Sequence, residues 1–144
     1  MRAVDTNILV YARRQEPPEH PAALELLTRL STGDEPWVLP WPCLYEFLRV
    51  VTHPRVFHPP TPIEAAWEAV ALLLDSPSVV VLSEGERHAA ILKDLLRTSS
   101  VTGNLIHDAH IAALLIEHGV EEILTADEDF RRFPKLRATN PFRS

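Results

Sequence analysis

Apolar positions along this chain fall into two rhythms that alternate from the first residues to the last. Ala3-Val4, within Arg2 to Asp5, predicts a short strand running into a helix over Asn7 to Arg13, which Gln15 to Pro21 ends. From His20 to Leu30, apolar residues at Ala23, Leu24, Leu26, Leu27 and Leu30 keep the spacing of an amphipathic helix that Ser31-Thr32-Gly33-Asp34 stops. Pro36 to Trp41 predicts a second strand, and Pro42 suits the first turn of a helix over Cys43 to Thr52. A rigid loop carries His53-Pro54 and His58-Pro59-Pro60-Thr61-Pro62, after which Ile63 to Leu74 predicts another helix. Ser78 to Ser83 holds Val79-Val80-Val81-Leu82, a run expected of a strand buried on both faces. A helix over Glu86 to Leu96 and a polar turn over Thr98 to Gly103 come next. Asn104 to His118 has the clearest helical pattern, and Gly119 suits its C-cap. Glu121 to Thr125 predicts a strand, Asp127 to Phe133 a short helix, and Leu136 to Thr139 an edge strand.

Strands separated by helical segments imply an α/β fold, with a mainly parallel central sheet and helices on both faces. With no internal repeat and no linker, residues 1–144 are expected to form one domain. A hydrophobic content of 46% with 24% charged residues can build one core. No apolar run approaches a membrane span, and the first residues are too polar for a signal peptide, so a cytoplasmic location is expected. Cys43 is the sole cysteine, which argues against disulfide or structural-zinc chemistry.

The fold changes the meaning of several acids. In an open parallel sheet, ligands bind beyond the carboxyl ends of the strands, and Asp5 stands where the first strand ends. Asp5-Thr6-Asn7 also suits a helix N-cap, so capping alone is one reading. Glu46 shares a helical face with Cys43, Phe47 and Val50, away from the polar face of Tyr45, Arg49 and Thr52. Asp108 is set among Leu105, Ile111 and Ala112. A charge among apolar neighbours needs a partner, and a bound cation is one. Asp127 and Asp129 follow the last long strand, where they could instead serve a helix N-terminus. Oxygen ligands without histidine or cysteine suit a hard cation such as Mg²⁺ or Mn²⁺, and one or two such ions activate water for phosphodiester hydrolysis.

Rival chemistry is available. His107, His110 and His118 lie along one side of a helix and offer an alternative zinc site. Acids at strand ends also occur in phosphoacceptor signalling domains, but those need an acidic pair after the first strand and a lysine near the last. The lysines here are Lys93 and Lys135. Trp37, Trp41 and Trp67 are expected in the core or at an interface. The net charge of −6 argues against a nucleic-acid partner, although twelve of the fourteen basic residues are arginine, which suits phosphate contacts.

Taken in order, DTNILV, Glu46 in YEFLRVVTHP, Asp108 in HDAHIAALLIEHG, and TADEDFRRF resemble the PIN-domain ribonucleases, and within them the VapC toxins of type II toxin-antitoxin systems. The resemblance runs from Asp5 to Pro141. It implies a three-layer α/β/α fold and a Mg²⁺-dependent endoribonuclease, with Mn²⁺ as a substitute. Asp5 and Asp108 would be primary ligands, and Glu46 and Asp127 would complete the acidic cluster. Asp129, Thr6, Asn7 and Thr125 would support them. Metal-activated water would attack phosphorus in line, leaving a 5′-phosphate and a 3′-hydroxyl. The resemblance further implies a homodimer inhibited by a cognate antitoxin, one of whose arginines would pair with Glu46 or Asp108. The acidic total charge departs from what RNA binding suggests, and Arg13, Arg14, Arg49, Arg55, Arg131 and Arg132 are the candidates for gripping RNA. A catalytically silent PIN-fold binding module is the alternative.

Overall fold

The computed structural model describes residues 1–143. Five strands, β1 (Arg2–Val4), β2 (Trp37–Pro40), β3 (Val79–Leu82), β4 (Glu122–Leu124) and β5 (Arg137–Thr139), form one sheet in the order β3-β2-β1-β4-β5. Every pairing is parallel, with Ala3 of β1 opposite Val38 of β2 and Ile123 of β4. Six helices connect them: α1 (Thr6–Arg13), α2 (His20–Thr32), α3 (Trp41–Val51), α4 (Ile63–Leu74), α5 (His88–Thr98) and α6 (Leu105–Glu117). Helix α1 packs on α2 and α3, and α5 packs on α6, giving the expected three-layer α/β/α arrangement.

Local chemistry explains the boundaries. The Asp5 carboxylate accepts the Thr6 amide and caps α1, so that helix begins one residue before the expected Asn7. Pro42 sits in the first turn of α3, where its missing N–H costs nothing, and the helix starts at Trp41. Gly119 adopts φ +73 just past α6, a conformation that costs glycine little. The helix expected over Asp127 to Phe133 is a 3-10 segment, Glu128–Arg132, capped by Asp127.

Two placements shape the rest of the molecule. β3 was expected to be buried on both faces, yet it lies at a sheet edge with all four residues only half-buried. β-Branched runs fit central and edge strands alike. Chain order also reverses at β1: connections first step outward through β2 and β3, then return across β1 to β4. The carboxyl ends of β1 and β4 therefore flank the switch point, where a doubly wound sheet opens a crevice.

Beneath that crevice the core is apolar. Ala3, Val38, Leu39, Cys43, Phe47, Ala112 and Ile123 are all buried. Arg14, just after α1, ties the proline-rich loop to this body: it donates to Thr61 Oγ1 (3.1 Å) and the Pro59 carbonyl (2.9 Å) and lies 4.4 Å over the Phe57 ring. Arg14→Ala is expected to lower stability by about 2 kcal/mol, read as an earlier urea midpoint with an unchanged m-value.

Candidate metal centre

Asp5 leaves β1 in extended conformation and is buried, 5% exposed. Its carboxylate is surrounded by donors. Oδ1 accepts the Thr6 amide (2.7 Å) and faces the Cys43 thiol (3.8 Å). Oδ2 accepts the Thr125 hydroxyl (2.7 Å) and Asn7 Nδ2 (3.1 Å). Asn7 also donates to Thr125 Oγ1 (3.1 Å) and accepts the Ala126 amide (3.2 Å), which joins the end of β1 to the end of β4. Thr125 Oγ1 in turn accepts the Asp127 amide (2.9 Å). Asp127 accepts the Asp129 amide (2.8 Å) and so starts the 3-10 segment.

Two further acids come from helices. Glu46 stands in the second turn of α3, half-buried, with Cys43 and Phe47 beneath it. Asp108 occupies the first turn of α6 and is also half-buried. Asp5, Glu46, Asp108 and Asp127 together line one hollow of about 200 Å³, with Thr6, Asn7, Val10, Tyr11 and Val50. Glu46, Asp108 and Asp127 also border a wider adjoining cleft of about 850 Å³, which Asp129, Tyr45, Arg49, His107 and His110 help to line. Four segments distant in sequence thus meet in one place.

The electrostatics are strained. Burial pushes the Asp5 carboxyl up to about 6, against the hydrogen bonds from Thr125 and Thr6 that lower it, with smaller upward contributions from Glu46 and Asp127. Asp108 is pushed up to about 7, first by burial and then by the charges of Asp127, Asp5, Asp129 and Glu46. These carboxylates repel one another, and a cation among them relieves that repulsion.

The donor set fits a hard divalent ion. One oxygen each from Asp108, Asp127 and Asp129 lie within 4.8 Å of one another, the one such group among the described residues, while Asp5 and Glu46 lie outside it and share only the hollow. It contains no histidine. His110 Nε2 pairs with the Glu84 carboxylate, and His118 Nε2 with the Ser83 carbonyl (2.9 Å), so the alternative zinc site on α6 is not assembled. Lys135 lines separate pockets beside α5 and α6.

The arginines divide. Arg49 lines the cleft. Arg14 is held by the proline-rich loop and pairs with Glu16, while Arg13 shares a separate pocket with it. Arg131 pairs with Glu128 (2.7 Å), and Arg132 Nε donates to the Asp129 carbonyl (3.2 Å). Arg55 is exposed in the loop after α3. Trp37 is buried in the core, Trp41 is half-buried and Trp67 is half exposed. Residue pattern alone assigns no role to Cys43 or Tyr45, although both flank Glu46 on α3, at three residues and one residue before it. Burial pushes the Cys43 thiol well up, which keeps it a neutral donor toward Asp5.

Comparison with known proteins agrees with this geometry. Residues 2–136 match the PIN domain. The chain is 44% identical over 141 residues to "Ribonuclease VapC43" of Mycobacterium tuberculosis, covering 98% of this chain and 95% of that protein. "Ribonuclease VapC37" of the same organism is 37% identical, at 98% and 97% coverage. Among solved structures, FitAB bound to the IR36 DNA fragment superposes with a TM-score of 0.70 at 20% identity, covering 100% of this chain and 97% of that one. Mycobacterium tuberculosis VapC20, described as a Sarcin-Ricin loop cleaving toxin, gives 0.66 at 19% identity, with 91% and 93% covered. The chain therefore belongs to the PIN domain family and, within it, to the VapC group.

Proposed function

We propose that this protein, acting as one PIN domain over residues 1–144, is a Mg²⁺-dependent endoribonuclease and the toxin of a type II toxin-antitoxin pair, with Mn²⁺ as an alternative ion. One observation carries the reading: Asp5, Glu46, Asp108 and Asp127 line a single hollow at the sheet's switch point, in a chain 44% identical to proteins named ribonucleases. Asp5 and Asp108 would hold the ion, with Glu46 and Asp127 completing the cluster directly or through water, and Asp129 assisting. When bound, such an ion lowers the pKa of water and offsets charge on a phosphodiester in attack.

The chain's own residues set up that chemistry. Thr6, Asn7, Thr125 and Cys43 direct donors at Asp5 and fix its orientation before any ligand arrives. Asn7 and Thr125 keep the ends of β1 and β4 in register, and with them the distance between Asp5 and Asp127. Arg49 is placed to meet an RNA phosphate, and the 850 Å³ cleft has room for nucleotides beside the hollow. Hydrolysis in line leaves a 5′-phosphate and a 3′-hydroxyl.

We place the protein in the cytoplasm, where RNA and the cognate antitoxin would meet it; no helix among the described residues is long and apolar enough to cross a membrane. Related folds are found in VapBC and FitAB complexes. The exposed apolar side chains Ile63 and Trp67, one turn apart on α4, offer surface for a protein partner, whether the antitoxin or the second subunit of a homodimer.

Purified protein is expected to cleave RNA with Mg²⁺ or Mn²⁺, to stop in EDTA, and to resume when the ion is restored. Asp5→Asn and Asp108→Asn are each expected to leave below about 1% of the rate while far-UV circular dichroism is unchanged. Retained cleavage in either variant contradicts the assignment.

The raised carboxyls also fix a pH dependence. A carboxyl whose pKa is higher folded than unfolded stabilises the fold while protonated, and that contribution is lost as pH rises through the folded value. The metal-free protein is therefore expected to lose stability between about pH 4 and about pH 7, as Asp5 and then Asp108 ionise. Added Mg²⁺ should restore it at pH 7.5 and do little at pH 5, where protons compete for the same oxygens. Asp108→Asn should raise the metal-free melting temperature at pH 8 by roughly 4 °C, the shift that about 1 kcal/mol brings in a domain of this size, and should remove the Mg²⁺ effect.

A further inference from the structure

An RNA chain must reach a hollow walled by carboxylates, on a protein of net charge −6. Of the six candidate arginines, Arg49 lines the cleft beside the acids. Arg14 is held by the proline-rich loop, Arg13 borders a different pocket and Arg55 is exposed in the loop after α3, while Arg131 pairs with Glu128 and Arg132 donates to the carbonyl of Asp129 at the cleft's edge.

The same wall presents something else. Tyr45 precedes Glu46 on α3, one turn before Arg49, and lines the cleft while 69% exposed. The half-buried Trp41, one turn earlier on α3, neighbours it, with ring centroids 6.0 Å apart and planes tilted by 38°. An exposed aromatic ring held beside a second ring at the wall of a polar cleft is suited to receive a flat apolar face. Stacking between a base and an aromatic ring needs no net charge, so it works where phosphate attraction is weak.

We propose that Tyr45 is a stacking platform for an unpaired nucleobase next to the scissile phosphate, and that Arg49 takes the adjoining phosphate. This rests on the ribonuclease reading and adds to it a residue that positions the base. A duplex keeps base faces inside its own stack, out of reach of a side chain on the cleft wall.

Binding is measured in the Asp108→Asn background with Mg²⁺, so that no RNA is consumed. The probes are a short single-stranded RNA carrying 2-aminopurine and the same strand in a duplex. The single strand is expected to bind more tightly, with 2-aminopurine fluorescence quenched at one position. Adding Tyr45→Ala should abolish the quench and weaken binding by roughly ten- to a hundredfold, while Tyr45→Trp restores both. The slope of log affinity against log salt should be about −0.7 to −1.4, as for one or two phosphate contacts on a single strand.

Equal affinity and quench with Tyr45→Ala overturn the proposal. So does equal binding of the duplex, a salt slope near −4 that signals an arginine grip, or a change of oligomeric state by Tyr45→Ala with RNA binding intact. If the wild-type protein cleaves RNA while Tyr45→Ala leaves binding unchanged, the stacking role alone is lost. If the wild-type protein neither binds nor cleaves any RNA, the ribonuclease reading fails with it.

Discussion

Burial of carboxylates gathered at one end of a parallel sheet, compounded by their mutual repulsion, is the constraint around which this molecule is arranged. Asp5 is buried where water cannot solvate its charge, and Glu46 and Asp127 raise the cost of ionising both it and its neighbour Asp108. A fold selected for stability alone has no reason to collect them. The chain tolerates the arrangement by surrounding Asp5 with donors from Thr6, Asn7, Thr125 and Cys43, each held by an element that is itself packed in the core. Those hydrogen bonds hold the carboxylate in place without cancelling its charge, which leaves the cluster ready to take a cation.

Topology does the gathering. β1 and β4 are neighbours in the sheet although more than a hundred residues separate them, and the reversal of strand order at β1 opens a crevice between their ends. Asp5 and Asp127 border it from the strand ends, while Glu46 reaches it from the second turn of α3 and Asp108 from the first turn of α6. Asn7 and Thr125 bridge the two strand ends directly. Fold and site are therefore coupled: a shift in the β1–β4 register would displace the acids as well as the core.

Much of this is legible in residue order. Alternating strand and helix periods specify the doubly wound class, and the strand-end rule turns Asp5 from an N-cap into a ligand candidate; the structure shows it doing the capping as well. What stays hidden depends on three-dimensional company. A run such as Val79–Leu82 looks the same whether its strand is central or at an edge, and only pairing places it at the edge. Arginine content reveals how many guanidinium groups exist but not which are engaged, and Arg14 is taken up by Thr61, Pro59 and Phe57, all more than forty residues away along the chain. Cys43 and Tyr45 acquire meaning from the geometry of Asp5 and of the cleft, and one-dimensional spacing from Glu46 is their only trace.

The central claim is that these acids form a divalent-ion site. A crystal structure of the protein soaked with Mn²⁺, with anomalous scattering recorded, tests it most directly. An anomalous peak at about 2.1 Å from carboxylate oxygens of Asp5 or Asp108, lost in Asp108→Asn crystals, is the predicted result. No ordered ion at the cluster, at Mn²⁺ concentrations that sustain RNA cleavage, would contradict the account.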